Sequence, residues 1–143
     1  MDSIVVGVDN SEASTRAVEF AVDRAKKNDW KIVLVHVIPW SPFSFTTPTE
    51  NEERPRAKAH ELAAGQEQII APMSAIAEAA GVPFQSIVRH GNPSDTILDI
   101  AEDEKAVHII VGRTGDSGLR AAVFGSVASR LVTQADIPVT VVP

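Results

Sequence analysis

The chain has 143 residues and a mass of 15.3 kDa, room for one sizeable core but not two, and its 44% hydrophobic and 22% charged residues are the balance of a chain that folds. Its 13 basic and 19 acidic residues leave a formal charge of −6 and a pI near 5.1, which excludes the cationic surface that binding to nucleic acid requires. The absence of cysteine excludes disulfides and thiolate metal sites, no apolar stretch approaches the ~20 residues that span a bilayer, and Met1-Asp2-Ser3 opens no secretory signal, so a cytoplasmic protein is expected.

Ile4-Val5-Val6-Gly7-Val8 is apolar on successive residues, as a strand buried on both faces would be, and it ends at Asp9. Ser11 is a natural N-cap for a first helix whose apolar stripe is Ala13, Ala17, Phe20 and Ala21 and whose C-terminal end carries Lys26 and Lys27. Ile32 to Ile38 is a second buried run, stopped by Pro39. Residues 40–54, with Pro42, Pro48, several Ser and Thr and the acidic Glu50, Glu52 and Glu53, read as a long surface loop with a solvated acidic face.

From about Pro55 to Ala80 the pattern is helical, with Leu62, Ile69, Ile70, Met73, Ile76, Ala77 and Ala80 on one face, while Gly65 and Pro72 should bend or interrupt it. Gly81 and Pro83 stop it. Phe84 to Arg89 is the most polar of the strand candidates, which suggests a sheet edge. After Gly91, Asn92 as N-cap and Pro93 at the first helical position open a third helix with Ile97, Ile100 and Ala101 inward. Val107 to Val111 is a fourth buried strand. Past a glycine-rich turn, Phe124, Val127, Ala128, Leu131, Val132 and Ala135 make a helical stripe, and Ile137 to Val142 closes the chain as a fifth strand.

Five apolar strands alternating with four helices predict one α/β domain over residues 1–143, a parallel sheet covered on both faces. Ligands of such sheets lie beyond the carboxyl ends of the strands where the strand order reverses. The loops that qualify are Asp9 to Ser11, Val37 to Trp40, Gly91, and Gly112 to Ser126. In the last of these, glycines let backbone amides approach an anion closely, and the dipole of the following helix favours negative charge; phosphate is the obvious anion.

The spacing Gly112-x-x-Gly115, nine residues, then Gly125-Ser126 resembles the ATP-binding signature of the universal stress protein family. The resemblance runs the length of the chain: the opening strand into Val8-Asp9 and a Ser-started helix, His36-Val37-Ile38, Gly91-x-Pro93, and Pro138-Val139-Thr140-Val141-Val142. It implies a single Rossmann-like domain of the adenine nucleotide alpha hydrolase-like kind, with strand order 3-2-1-4-5. It implies that Asp9, flanked by Val8, lies near ribose and phosphates, that Val37 offers its backbone to adenine, and that Val111, Gly112, Arg113, Gly115, Gly125, Ser126 and Val127 form the phosphate and ribose loop. Asp9 beside a polyphosphate is repulsive unless a divalent cation bridges them, so Mg²⁺ or Mn²⁺ is expected to arrive with ATP, with Asp9 as its protein ligand. Asp116 directly after the second glycine would oppose phosphate, with Arg113 and Arg120 placed to offset it.

Other readings carry less. Gly115-Asp116-Ser117-Gly118 matches the nucleophile segment of trypsin-like proteases, but those are all-β. His36, His60, His90 and His108 have no metal-ligand spacing and read as packed or surface residues. Trp40 could lie over a base or anchor its own loop. The chain lacks the G-x-x-x-x-G-K-[ST] loop and the H-x-G-H and S-G-G-x-D-S signatures of related enzymes, so an adenine-nucleotide-binding regulatory protein is expected, with slow hydrolysis or self-phosphorylation at most. The alternative is a structural dimer with a vestigial site. The resemblance implies a homodimer paired through Val139 to Val142, an edge without charge.

Overall fold

The structure, a computed structural model, describes residues 1–39, 48–114 and 125–143, with the side chains of 48–55 excepted. Its elements in chain order are β1 (Ser3–Gly7), α1 (Glu12–Asn28), β2 (Lys31–Ile38), α2 (Pro48–Gly65), a π-helical segment (Gln66–Ile70), α3 (Ala71–Ala79), β3 (Phe84–His90), α4 (Pro93–Asp103), β4 (His108–Gly112), α5 (Ser126–Gln134) and β5 (Val139–Val142). The five strands form one sheet in the order β3-β2-β1-β4-β5, and every pairing is parallel. The expected strand order and the edge position of β3 are both realised.

The unbroken apolar runs of β1, β2 and β4 follow from burial on both faces. On one face Ile4, Val6, Leu34 and Ile110 pack with Ala17, Val18 and Ala21 of α1 and Met73 and Ala77 of α3. On the other, Val5, Val33, Val35 and Ile109 pack with Ile97 and Ile100 of α4 and Ala128 and Leu131 of α5. Burying one such aliphatic side chain contributes about 1.5–3 kcal/mol, so these two layers outweigh the polar contacts at the sheet's ends and fix where those ends lie.

Strands β1 to β4 fall within one residue of the sequence reading at each end, and three further boundaries differ from it. Helix α2 begins at Pro48, so residues 48–54 are helical and only 39–47 remain between β2 and α2, of which 40–47 lie outside the described residues. Pro48 at a first helical position with Glu50 behind it is a helix-start signal that the surrounding Ser, Thr and Pro obscured. Helix α5 ends at Gln134, with Ala135 as its C-cap in extended backbone. Strand β5 starts at Val139, not Ile137, because Pro138 has no N–H to give a ladder, although its carbonyl accepts from Ile109 N–H at 3.0 Å.

The interruption expected from Gly65 and Pro72 is the π-helical segment. Gly65 keeps helical backbone (φ −62°, ψ −42°), and the N–H of Ala71 reaches back to the Gln66 carbonyl, one residue further than an α-helix would. Pro72, near the start of α3, has no N–H for the Gln68 carbonyl, and the wider turn absorbs that loss without ending the rod. With α2, the π-helical segment and α3 continuous, four helical segments connect the five strands. Among the described residues no helix is long and apolar enough to cross a membrane.

Candidate functional site

The sheet order reverses between β1 and β4, and there, beyond their carboxyl ends, a cavity of about 350 Å³ opens. Val8, Asp9, Val37, Val111, Gly112, Arg113, Gly125, Ser126 and Val127 all line it. Gly115, Asp116, Ser117 and Arg120 lie outside the described residues, as does Trp40. Loops separated by up to a hundred residues are therefore brought to one place by the strand order alone.

The β1–α1 turn is held by a closed set of local hydrogen bonds. Ser11 is the N-cap of α1, its Oγ accepting from Ser14 N–H at 3.1 Å. Asp9 does not cap the helix itself; its Oδ1 accepts from the Ser11 N–H at 2.9 Å and the Ser11 hydroxyl at 2.5 Å. Asp9 N–H donates in turn to Ser14 Oγ at 3.0 Å. A carboxylate gripped this way points in a fixed direction at the cavity wall without paying side-chain entropy when a ligand arrives.

Gly112 ends β4 against the first turn of α1, where a Cβ would come within 2.9 Å of the Ala13 backbone carbon. Only glycine allows that approach, so its requirement here is steric and set by the fold. On the far wall Gly125 is the N-cap of α5 without a side-chain cap. Its own N–H donates to the Arg113 carbonyl at 2.7 Å, so among the described residues on this wall the amides open to an anion are those of the first turn, Ser126, Val127 and Ala128. The glycine thus shapes the mouth of the helix while the residues after it supply the donors. Asp9 and the exposed Arg113 are the charged residues, one of each sign, on the described lining.

The cavity also takes in residues to which the sequence reading gave no individual role in the site: Ser14, His36, Pro39, Pro93, Ile97 and Thr114. Ile97 packs near Gly7, whose missing side chain leaves room for its Cδ1. His36 is 9% exposed, and its Nδ1 lies 2.9 Å from the Val8 carbonyl, to which it donates. The other histidines lie away from the cavity lining. His90 Nε2 meets Glu61 Oε2 at 2.7 Å, and His108 Nε2 meets Thr140 Oγ1 at 2.6 Å. Burial lowers the pKa of His108 below the ordinary 6.5.

A parallel sheet of order 3-2-1-4-5, with a cavity at its reversal walled by a helix N-terminus, defines a Rossmann-like α/β protein. The chain belongs to the universal stress protein family, whose family description matches residues 1–143. It is 32% identical over 139 residues to universal stress protein MJ0531 of Methanocaldococcus jannaschii, a match covering 97% of this chain and 80% of that one. It spans 47% of the length of longer mycobacterial universal stress proteins that it matches at 29–30% identity.

Among solved structures it resembles hypothetical protein MJ0577, the subject of a structure-based assignment of biochemical function, with a TM-score of 0.81, 26% identity, and coverage of 99% of this chain and 94% of that one. More distant neighbours share the fold and are complexes with nucleotides. The universal stress protein of Archaeoglobus fulgidus with dAMP has a TM-score of 0.65 at 23% identity, covering 100% of this chain and 98% of that one. A family protein from Arabidopsis thaliana with AMP has 0.63 at 21%, covering 99% and 91%, and a universal stress protein with cAMP has 0.68 at 23%, covering 99% and 95%.

Proposed function

We propose that this chain binds an adenine nucleotide, ATP together with a divalent cation, and acts as a regulatory protein whose bound state alters its interactions. The observation that supports this reading most is the convergence of Asp9 from the β1–α1 loop, Val37 at the end of β2, and Gly112 and Ser126 from the two ends of the β4–α5 loop on one cavity at the sheet's reversal. An apolar wall of Val8, Val35, Val37 and Ile97 suits a base, and the α5 amides suit phosphate. That three fold neighbours are complexes with adenine nucleotides is consistent with it.

The cation fits the residues present in one way. Among the described residues no three His, Asp or Glu side chains gather into a metal-holding group, while the Asp9 carboxylate lines the cavity. One carboxylate plus phosphate oxygens is the usual arrangement for Mg²⁺, which would neutralise the repulsion between Asp9 and the phosphates. Asp9 Oδ1 already accepts two hydrogen bonds from Ser11, which suits orienting a cation better than taking a proton from water. Turnover is accordingly assigned as slow at most, and the acidic, cysteine-free composition fits a cytoplasmic setting.

Mass spectrometry of nucleotide released from freshly purified protein tests this reading, run beside Gly125→Val. That variant places a branched side chain at the mouth of α5, at a backbone (φ −64°, ψ 159°) that valine adopts without strain. Adenine nucleotide from the wild type but not from the variant is the expected result. If neither releases nucleotide, and ATP fails to bind with or without Mg²⁺, the reading falls.

A further inference from the structure

The β1–β2 ladder stops one rung short. Lys31 N–H donates to the Asp2 carbonyl at 2.9 Å and Val8 N–H to the Val35 carbonyl at 2.8 Å, with Ser3 opposite Lys31 and Gly7 opposite Val35. That register sends the N–H groups of alternate β2 residues, 31, 33 and 35, to β1, and the next rung would run from Val37 N–H to the Val8 carbonyl. The rung does not form among the described residues; the Val8 carbonyl accepts instead from His36 Nδ1 at 2.9 Å. Val37 is 8% exposed and lines the cavity, so a backbone donor is left on its wall without a backbone acceptor. Buried N–H groups are rarely left so, and one facing a cavity marks a place for a ligand's acceptor.

We infer that His36 is a positioning residue: its imidazole takes the Val8 carbonyl out of the ladder and so keeps the Val37 N–H open for an acceptor nitrogen of the adenine ring. The inference rests on the nucleotide reading and adds the residue on which base recognition depends. The ring is seated by Gly65, where a Cβ would come within 3.1 Å of His36 Cδ2 and 3.2 Å of Val88 Cγ1, so the bare backbone of α2 makes room for the Cδ2–Nε2 edge of the imidazole. Two bonds then fix the Val8–Asp9 peptide, from His36 to the Val8 carbonyl and from Asp9 N–H to Ser14, and a third, from Val8 N–H to Val35, fixes the peptide before it. His36 never touches the base; it decides which backbone group does.

The test compares the wild type with His36→Leu, which removes the ring donor, and His36→Asn, whose amide nitrogen stands close to the Nδ1 position. Binding of ATP and of inorganic tripolyphosphate is titrated for each, and amide hydrogen exchange is followed at Val37 in the nucleotide-free proteins. His36→Leu should lose about tenfold in ATP affinity, the weight of one hydrogen bond, and keep its tripolyphosphate affinity. Its Val37 amide should exchange more slowly than in the wild type as the missing rung closes, and His36→Asn should restore the wild-type pattern in both. A general loss of structure would instead speed exchange and weaken both ligands. Unchanged ATP affinity in His36→Leu, or parallel loss of both ligands in a folded His36→Asn, overturns the inference. A wild type that binds tripolyphosphate but no adenine nucleotide overturns the base reading beneath it, and the Val37 exchange rates tell that outcome apart from failure of the hydrogen-bond switch.

Discussion

A side chain on Gly112 would bring its Cβ within 2.9 Å of the backbone carbon of Ala13, so the end of β4 and the first turn of α1 meet backbone to backbone. Backbone cannot rotate away as a side-chain tip can. Gly112→Ala is expected to cost about 1–3 kcal/mol and to shift the Asp9 turn, lowering both the urea midpoint and nucleotide affinity. Gly81→Ala is the contrast, since Gly81 has φ +71° with nothing within 4 Å of a new Cβ. It should cost about 1–2 kcal/mol through backbone strain alone and leave affinity unchanged. Equal effects of the two on affinity would show that the Gly112 contact has no bearing on the cavity.

Ser11 and Asn92 cap α1 and α4 by the same device, a side-chain oxygen accepting from the amide three residues on, at 3.1 Å in each case. Replacing either by alanine should lower stability by about 1 kcal/mol. Only Ser11 also holds the Asp9 carboxylate, so Ser11→Ala should weaken Mg²⁺-dependent ATP binding while Asn92→Ala does not. Denaturation curves paired with titrations on the same samples separate the two effects.

Asp9→Asn keeps an acceptor for Ser11 and removes the charge. Without divalent cation the variant should bind ATP more tightly than the wild type, because the carboxylate no longer opposes the phosphates. With Mg²⁺ the order should reverse. A wild type whose ATP affinity ignores Mg²⁺ would remove Asp9 from the role of cation ligand.

His108 gives stability a pH dependence of known sign. Its ring lies beside Trp30, with centroids 6.3 Å apart, and contacts Thr140, and burial lowers its pKa below 6.5. A depressed value means the folded chain favours the neutral ring, so as pH falls below 6.5 the unfolded chain takes up the proton first and stability drops through the lower folded value. Above 6.5 both states are neutral and the full stability is present. Urea unfolding of the wild type and His108→Gln from neutral pH to about pH 5 should show the wild type losing more on acidification. Parallel curves would remove His108 as the cause.

What the sequence made legible follows from which forces are local. The continuous run from Ile32 to Ile38 requires burial on both faces, and the caps Ser11 and Asn92 act within one turn, so the strands and the starts of α1 and α4 were readable, whereas the strand order came from the family resemblance. The helical start at Pro48 was hidden because its turn-like composition and its helix-start signal point opposite ways. Site details that depend on partners far along the chain were not readable. Nothing near Gly125 announces that its amide belongs to the Arg113 carbonyl, and nothing near His36 names Val8, 28 residues earlier, or Gly65 as its neighbours. A histidine without metal-ligand spacing reads as filler until the register sets it beside a carbonyl.

Strand β5 is an outer strand of the sheet, and its residues are only half-buried. The rungs from Ile109 N–H to the Pro138 carbonyl and from Arg113 N–H to the Val142 carbonyl turn residues 138 and 142 toward β4. By alternation the N–H and C=O groups of Val139 and Val141 face outward along an edge that carries no charge. We propose that a second copy pairs there. Light scattering should then give twice the monomer mass, and Val141→Pro, which deletes an outward donor while leaving the β4 rungs, should give a folded monomer. A wild type that is monomeric at working concentration overturns the proposal, as does a Val141→Pro variant that remains dimeric, since pairing would then run through another face.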